Sequence, residues 1–258
     1  EIYEKAGIPC EFVGHPLLDQ VKISASRETL RSQFDIQPHQ TAIGLLPGSR
    51  SKEVSRILPI MMETALHLRK SIPNTIFFLT QSQNVDPHIY DQIMSRYPDL
   101  RVRRFGRYLY DLAAAMDFAL VTSGTATLET TLLGTPFFLL YKTSWSTYFL
   151  GKCLIRVPYL GLANLLAGKN IIPEFIQNNL NPQTIAKKAE TLLSNRKLYE
   201  DMKTALFNIR RMLGDEGASA RAAKSVLEFL FSNTAPKKLS AVNRKCNHAA
   251  VDVDKLPH

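Results

Sequence analysis

Three short loops carry the residues best suited to chemistry. Residues 47–50 read PGSR, residues 105–107 read FGR, and residues 122–129 read TSGTATLE. In the last of these, Ser123, Gly124 and Thr125 stand between an apolar run and a helical pattern. Glycine lets a backbone turn tightly and approach a ligand closely. The first amides of a helix lack partners and lie at the positive end of its dipole, which makes them a ready anion site. The hydroxyls of Ser123, Thr125 and Thr127 add donors, and Glu129, one turn further on, is placed to accept from both hydroxyls of a sugar diol. The plainer reading is a Ser/Thr helix cap with a solvated glutamate.

PGSR repeats this logic with a cation added. The Arg50 guanidinium is planar, always charged and suited to phosphate. Its plainer reading is a turn, with Arg50 in a surface ion pair. FGR offers an exposed main-chain turn beside an aromatic ring, where a flat base can stack; the alternative is an ordinary β–α turn. Neither a G-x-x-x-x-G-K-[ST] loop nor a G-x-G-x-x-G fingerprint is present.

The elements that must hold these loops follow from periodicity. A helix is expected over residues 26–34 with Ser26 as its cap. A second runs over residues 51–70, where Val54, Ile57, Leu58, Met61, Met62, Ala65 and Leu68 recur at offsets of three and four. Further helices are expected over residues 87–97, 109–116 and 125–133. Between them lie short continuous apolar runs at 41–46, 75–80, 100–105, 118–122 and 137–141, as expected of strands covered on both faces. Alternating strands and helices predict an α/β fold, a Rossmann-like doubly wound parallel sheet followed by C-terminal helices. All three loops then fall on one edge of the sheet, outside the carboxyl ends of its strands, where such folds bind ligands.

Outside this core the pattern changes. Residues 1–22 begin without a methionine, in what reads as a helix end and then a short strand at residues 10–13, like the middle of a larger protein. The sheet domain is expected over residues 23–165. It includes an aromatic helix over residues 145–155 which, with Lys152 and Arg156, suits either a membrane interface or burial against another domain. C-terminal helices are expected over residues 166–232, one capped by Asn181 with Pro182 at its first position. From residue 233 the composition suggests a disordered tail.

The totals narrow the classes. The chain has 258 residues, a net charge of +9 and 45% hydrophobic residues. The basic residues are scattered, the densest group being RVRRFGR at 101–107, which argues against a nucleic-acid arm. Cys10, Cys153 and Cys246 are far apart and form no zinc spacing, so free thiols in a reducing compartment are expected. No stretch reaches the ~20 apolar residues that span a bilayer. Asp252-Val253-Asp254 has the form of a metal-holding D-x-D but falls in the expected tail. Of the histidines, His15 in VGHPLLD, directly after the expected short strand, is the one retained as a contact candidate.

Four motifs in order, FVGHPLLD, LLPGSRSKEV, SGTATLE and LANLLAGK, closely resemble the C-terminal half of bacterial lipid-A-disaccharide synthases, over roughly residues 1–232. The resemblance implies a glycosyltransferase-B architecture. It also implies inverting, metal-independent transfer of 2,3-diacylglucosamine from UDP-2,3-diacylglucosamine to 2,3-diacylglucosamine 1-phosphate, without a cofactor. It implies a homodimer at the cytoplasmic face of the inner membrane, with no nucleic-acid partner. Carried onto this sequence, Gly48, Ser49, Arg50, Ser123, Gly124 and Thr125 would hold the diphosphate and Glu129 the ribose. Phe105, Gly106 and Arg107 would meet the uracil, and Asn164 and His15 are further donor contacts. The acceptor site and general base are expected in an N-terminal domain that this chain does not contain, so the chain alone is expected to be inactive. The competing readings are another UDP-sugar enzyme, such as a UDP-N-acetylglucosamine 2-epimerase, and a non-catalytic nucleotide-binding remnant.

Overall fold

A computed structural model describes residues 2–106, 110–145 and 158–231. The described chain divides into two compact units, one of Lys22–Ile209 and a smaller one formed by the chain up to Val21 and from Arg210 onward. The helices expected as one block from 166 to 232 are thus shared between the units.

The larger unit is built on six parallel strands: β1 (Thr41–Leu46), β2 (Thr75–Thr80), β3 (Val102–Phe105), β4 (Phe118–Thr122), β5 (Phe137–Tyr141) and β6 (Glu174–Ile176). Their order is β3-β2-β1-β4-β5-β6, the doubly wound order in which the winding reverses between β1 and β4. The register sets Leu46 beside Val121 and Leu45 beside Leu79, so β1, β2 and β4 end nearly level. Four of the five expected strands have the bounds read from sequence, and β3 starts two residues later. The sixth, β6, was not expected: three residues beginning with a glutamate carry too short an apolar run to register.

Helices cover both faces. In chain order the helices are α1 (Ile2–Lys5), α2 (Leu17–Gln20), α3 (Arg27–Gln33), α4 (Ser51–Ser71), α5 (Pro87–Met94), α6 (Tyr110–Ala115), α7 (Thr125–Leu133), α8 (Leu162–Ala167), α9 (Pro182–Ser194), α10 (Arg196–Met212) and α11 (Ala218–Phe231). Leu30 of α3, Ile36, and Leu112, Ala115 and Met116 from α6 and its end close over Ala42 and Phe78 on one face. Strand alternation turns Ile43 and Phe77 to the other, where α4 packs on the sheet and α9 packs on α4. Phe77, Phe78, Phe118, Phe137 and Phe138 are fully buried; each such ring contributes about 2–3 kcal/mol by leaving water.

At the amino ends of β1 and β4 one carboxylate ties the layers. Asp117 Oδ2 accepts from the Ala42 N–H at 2.7 Å and from Arg31 at 3.0 Å, and Oδ1 accepts from Arg27 at 2.5 Å. The Tyr199 hydroxyl of α10 donates to the Asp117 carbonyl at 2.8 Å. Burial, with the nearby Asp117 charge, pushes that hydroxyl up to about 12, so it stays a donor.

In the smaller unit, residues 10–13 form no strand, contrary to expectation. Instead, the Val13 carbonyl accepts from Arg221 at 3.0 Å, and the same guanidinium donates to the carbonyls of Asp215 and Glu216 at 2.7 Å. Asp19 accepts from the N–H groups of Gly217 and Ser219 at the start of α11, and those bonds hold its carboxyl below the usual range. The expected aromatic helix falls almost wholly on residues 146–157 and the expected tail on 232–258, both outside the described residues. Among the described residues no helix is long and apolar enough to cross a membrane.

Removing the Asp117 carboxylate leaves the Ala42 amide without its acceptor and takes from Arg27 and Arg31 their carboxylate partner, though both keep backbone carbonyls. Asp117→Ala is expected to lower the unfolding free energy by roughly 3 kcal/mol, read from urea denaturation; a loss below about 1 kcal/mol would show that the clamp is incidental.

Candidate functional site

Beyond the carboxyl ends of β1, β2 and β4 lies an open cleft of about 450 Å³. Leu46, Gly48, Ser49 and Arg50 line it from the β1 side, and Thr122, Ser123, Gly124, Thr125 and Glu129 from the β4 side. Thr80 to Asn84 and Gly106 complete it from β2 and β3. It therefore sits at the point where the winding reverses, the place where open α/β sheets bind ligands.

Two helices begin at this cleft, and neither is capped by a side chain: α4 starts after Arg50 and α7 after Gly124. By contrast α3, α5 and α9 are capped by Ser26, Asp86 and Asn181, each accepting from a first-turn amide. The Ser/Thr cap considered for TSGTATLE is therefore absent. Ser123 and Thr125 line the cleft, but Thr127 is buried and its hydroxyl donates to the Gly124 carbonyl at 2.6 Å, which removes it from the expected donors. At the floor, Thr122 is 4% exposed and its Oγ1 has no hydrogen-bond partner among the described residues. Buried hydroxyls are normally satisfied, so this one is a donor held in reserve.

Gly48 has φ +104°, and a Cβ there would stand 2.7 Å from Glu53 Oε2. The positive φ is what favours glycine here, since the Glu53 carboxylate tip could swing aside from a Cβ. Arg50 is largely exposed and pairs with Glu53 at 2.9 Å. The ion pair of the plainer reading is thus present, on a side chain free to swing from a solvent-screened partner to an arriving anion.

Glu129 lies half-buried on the cleft wall and accepts from the Tyr110 hydroxyl at 2.9 Å. Burial raises its carboxyl above the ordinary value, and the Tyr110 bond partly opposes that rise. Tyr110 is itself pushed up to about 12 by burial, with the bond to Glu129 and its charge adding to the effect.

The remaining candidates are placed differently. Gly106 lines the cleft, and Arg107 lies outside the described residues. The Phe105 ring packs against the core, edge-on to Phe34 at 5.9 Å and tilted on Phe78 at 5.8 Å, so it offers no stacking face to the cleft. Asn164, expected as a further donor contact, forms an internal bracket. Its amide is buried, donates to the Ile172 carbonyl and Glu174 carboxylate at 2.7 Å, and accepts from the N–H groups of Ile171 and Ile172 at 2.9 Å. Asn164 thereby fixes the start of β6. His15 belongs to the smaller unit, where its Nδ1 accepts from the Leu17 N–H at 3.2 Å.

Residues 81–84, QSQN, were missed as lining. Their main chain is pinned by Gln81 N–H to the Phe105 carbonyl at 2.7 Å and by Ser82 N–H to the buried Tyr90 hydroxyl at 3.0 Å. The signal was available: a polar run directly after an apolar strand, on the same sheet edge as the other loops.

Comparison with known proteins agrees with this architecture. The Lipid-A-disaccharide synthetase family matches residues 1–227. A lipid-A-disaccharide synthase of Syntrophus aciditrophicus is 40% identical over 230 residues, covering 89% of this chain and 60% of that protein. The chain thus spans about 60% of the length of the curated relatives it matches. Two solved structures share the fold. One is a putative UDP-N-acetylglucosamine 2-epimerase from Listeria monocytogenes, with TM-score 0.57 and 15% identity, covering 89% of this chain and 56% of the other. The second is Anabaena Alr3699/HepE in complex with UDP-glucose, with TM-score 0.55 and 16% identity, covering 83% and 56%. At such identities the epimerase likeness concerns the fold alone, whereas the synthase likeness extends along the sequence. The glycines, hydroxyls and arginine at the strand ends stand in a chain that belongs to the lipid-A-disaccharide synthetase family.

Proposed function

We propose that this chain is the donor-binding half of a lipid-A-disaccharide synthase. In this reading it holds the UDP of UDP-2,3-diacylglucosamine while the sugar passes, with inversion, to 2,3-diacylglucosamine 1-phosphate. The observation that carries the reading is the pair of uncapped helix N-termini, α4 and α7, on one cleft with Arg50 between solvent and site. Charge gathers on the diphosphate as the glycosidic bond breaks. Oriented amides and a guanidinium stabilise such charge without reorganising at the moment of reaction. Gly48, Ser49, Arg50, Ser123, Gly124 and Thr125 would take the diphosphate in place of a metal, and Glu129 the ribose diol. Main chain near Gly106 and residues 81–84 would take the uracil.

The acceptor site and the general base would belong to the part of the relatives that this chain does not cover. The isolated chain would therefore bind UDP and turn over nothing. The full enzyme would work at the cytoplasmic face of the inner membrane, because both substrates carry acyl chains, and the family resemblance supports a homodimer.

Calorimetry with UDP tests the site. Arg50→Ala and Glu129→Ala should each weaken UDP binding by about tenfold; unchanged affinity in both would contradict the assignment.

The raised Glu129 carboxyl adds a pH signature. Its carboxylate accepts from the ribose, so UDP affinity should be full near neutral pH and fall as pH drops through a midpoint above the ordinary 4.5. Stability runs the other way. The folded state holds this proton more tightly than the unfolded chain, so the stability linked to Glu129 is lost as pH rises through the raised value. Glu129→Gln should then raise the neutral-pH melting temperature of the ligand-free protein while weakening UDP. Lowered melting together with unchanged binding would refute the electrostatic account.

A further inference from the structure

Glu129 is held from a second element. Tyr110 opens α6, which packs on α7, and its hydroxyl donates to Glu129 Oε1 at 2.9 Å. Glu129 lines the cleft; Tyr110 does not. A glutamate side chain has three rotatable bonds, and ordering them only when a ligand arrives costs affinity. With Oε1 anchored, Oε2 and the second lone pair of Oε1 remain in a set direction for two incoming hydroxyls. We propose that Tyr110 is a positioning residue, which fixes the Glu129 carboxylate to accept from the 2′- and 3′-hydroxyls of a ribonucleoside diphosphate and so gives the cleft its preference for ribose. This rests on the nucleotide-donor reading above.

The chemistry of the pair suits the task. The Tyr110 hydroxyl, pushed up to about 12, is a neutral donor throughout the working range. Its bond counters the rise that burial imposes on Glu129, keeping more of the carboxylate ionised. The other charged groups on the cleft, Arg50 and Glu53, pair with each other at 2.9 Å.

The test is calorimetry of the parent and of Tyr110→Phe with two probes, UDP and 2′,3′-dideoxy-UDP, from mildly alkaline to mildly acidic pH. Tyr110→Phe should weaken UDP about fivefold, leave dideoxy-UDP unchanged, and move the pH midpoint of UDP binding upward. In a Glu129→Ala background the same change should be silent. An equal loss with both probes, or a loss that persists without Glu129, would assign Tyr110 a merely structural role and overturn the proposal. The parent gives a readout that no folding defect can confuse. If it binds UDP and dideoxy-UDP alike, the ribose assignment fails while the diphosphate site stands; if it binds neither, the nucleotide reading itself fails.

Discussion

Two helices begin where two neighbouring parallel strands end, and that coincidence is the constraint on which the site depends. Parallel pairing of β1 with β4 at the reversal of winding leaves no helix to fill the crevice between them. Their following helices, α4 and α7, therefore turn first-turn amides toward a shared space. Amides so placed are oriented by the fold rather than by a ligand, which is what electrostatic stabilisation of an anion requires. At the opposite end of the same strands, Asp117 bonds the β1 amide and two arginines of α3. The structure is tight at the Asp117 end of these strands and open at the cleft.

The cleft carries features that are unfavourable without a ligand. Two helix ends lack side-chain caps, a buried threonine hydroxyl has no partner among the described residues, and a half-buried carboxyl is raised by desolvation. Each costs stability in the free protein, and on the proposed function each would be relieved by a diphosphate, a hydroxyl or a water in the cleft. Of the other helices, α3, α5 and α9 carry side-chain caps and the short α2 and α8 do not. Local conflicts between polar satisfaction and fold are expected to concentrate where a protein works.

How much of this was legible in the sequence depended on which physical signal each residue emits. Strands such as Thr41–Leu46 and Phe118–Thr122 were readable to the residue because both faces are buried and the apolar run is continuous. Strand β6 was not, because three residues carry no usable period and Glu174 points its charge at amides that only the fold brings near. Gly48 announced a tight turn, whereas a Cβ at Gly124 would meet open space, and the strand-end rule located the cleft. Phe105 and Asn164 show the limit of the same reading. A single aromatic at a strand end can face core or solvent, and an asparagine in a motif does not reveal whether its amide serves a ligand or the backbone. Tyr110 was invisible as a partner of Glu129, since the contact joins two helices nineteen positions apart.

Everything proposed for this cleft requires the amides at the start of α4 and α7 to receive the diphosphate. Backbone amide chemical shifts, followed by nuclear magnetic resonance as UDP is added, test it most directly. The largest shifts should fall together on Ser49, Arg50 and Ser51 and on Gly124, Thr125 and Ala126. Saturating shifts confined to other residues, with both helix starts unmoved, would contradict it.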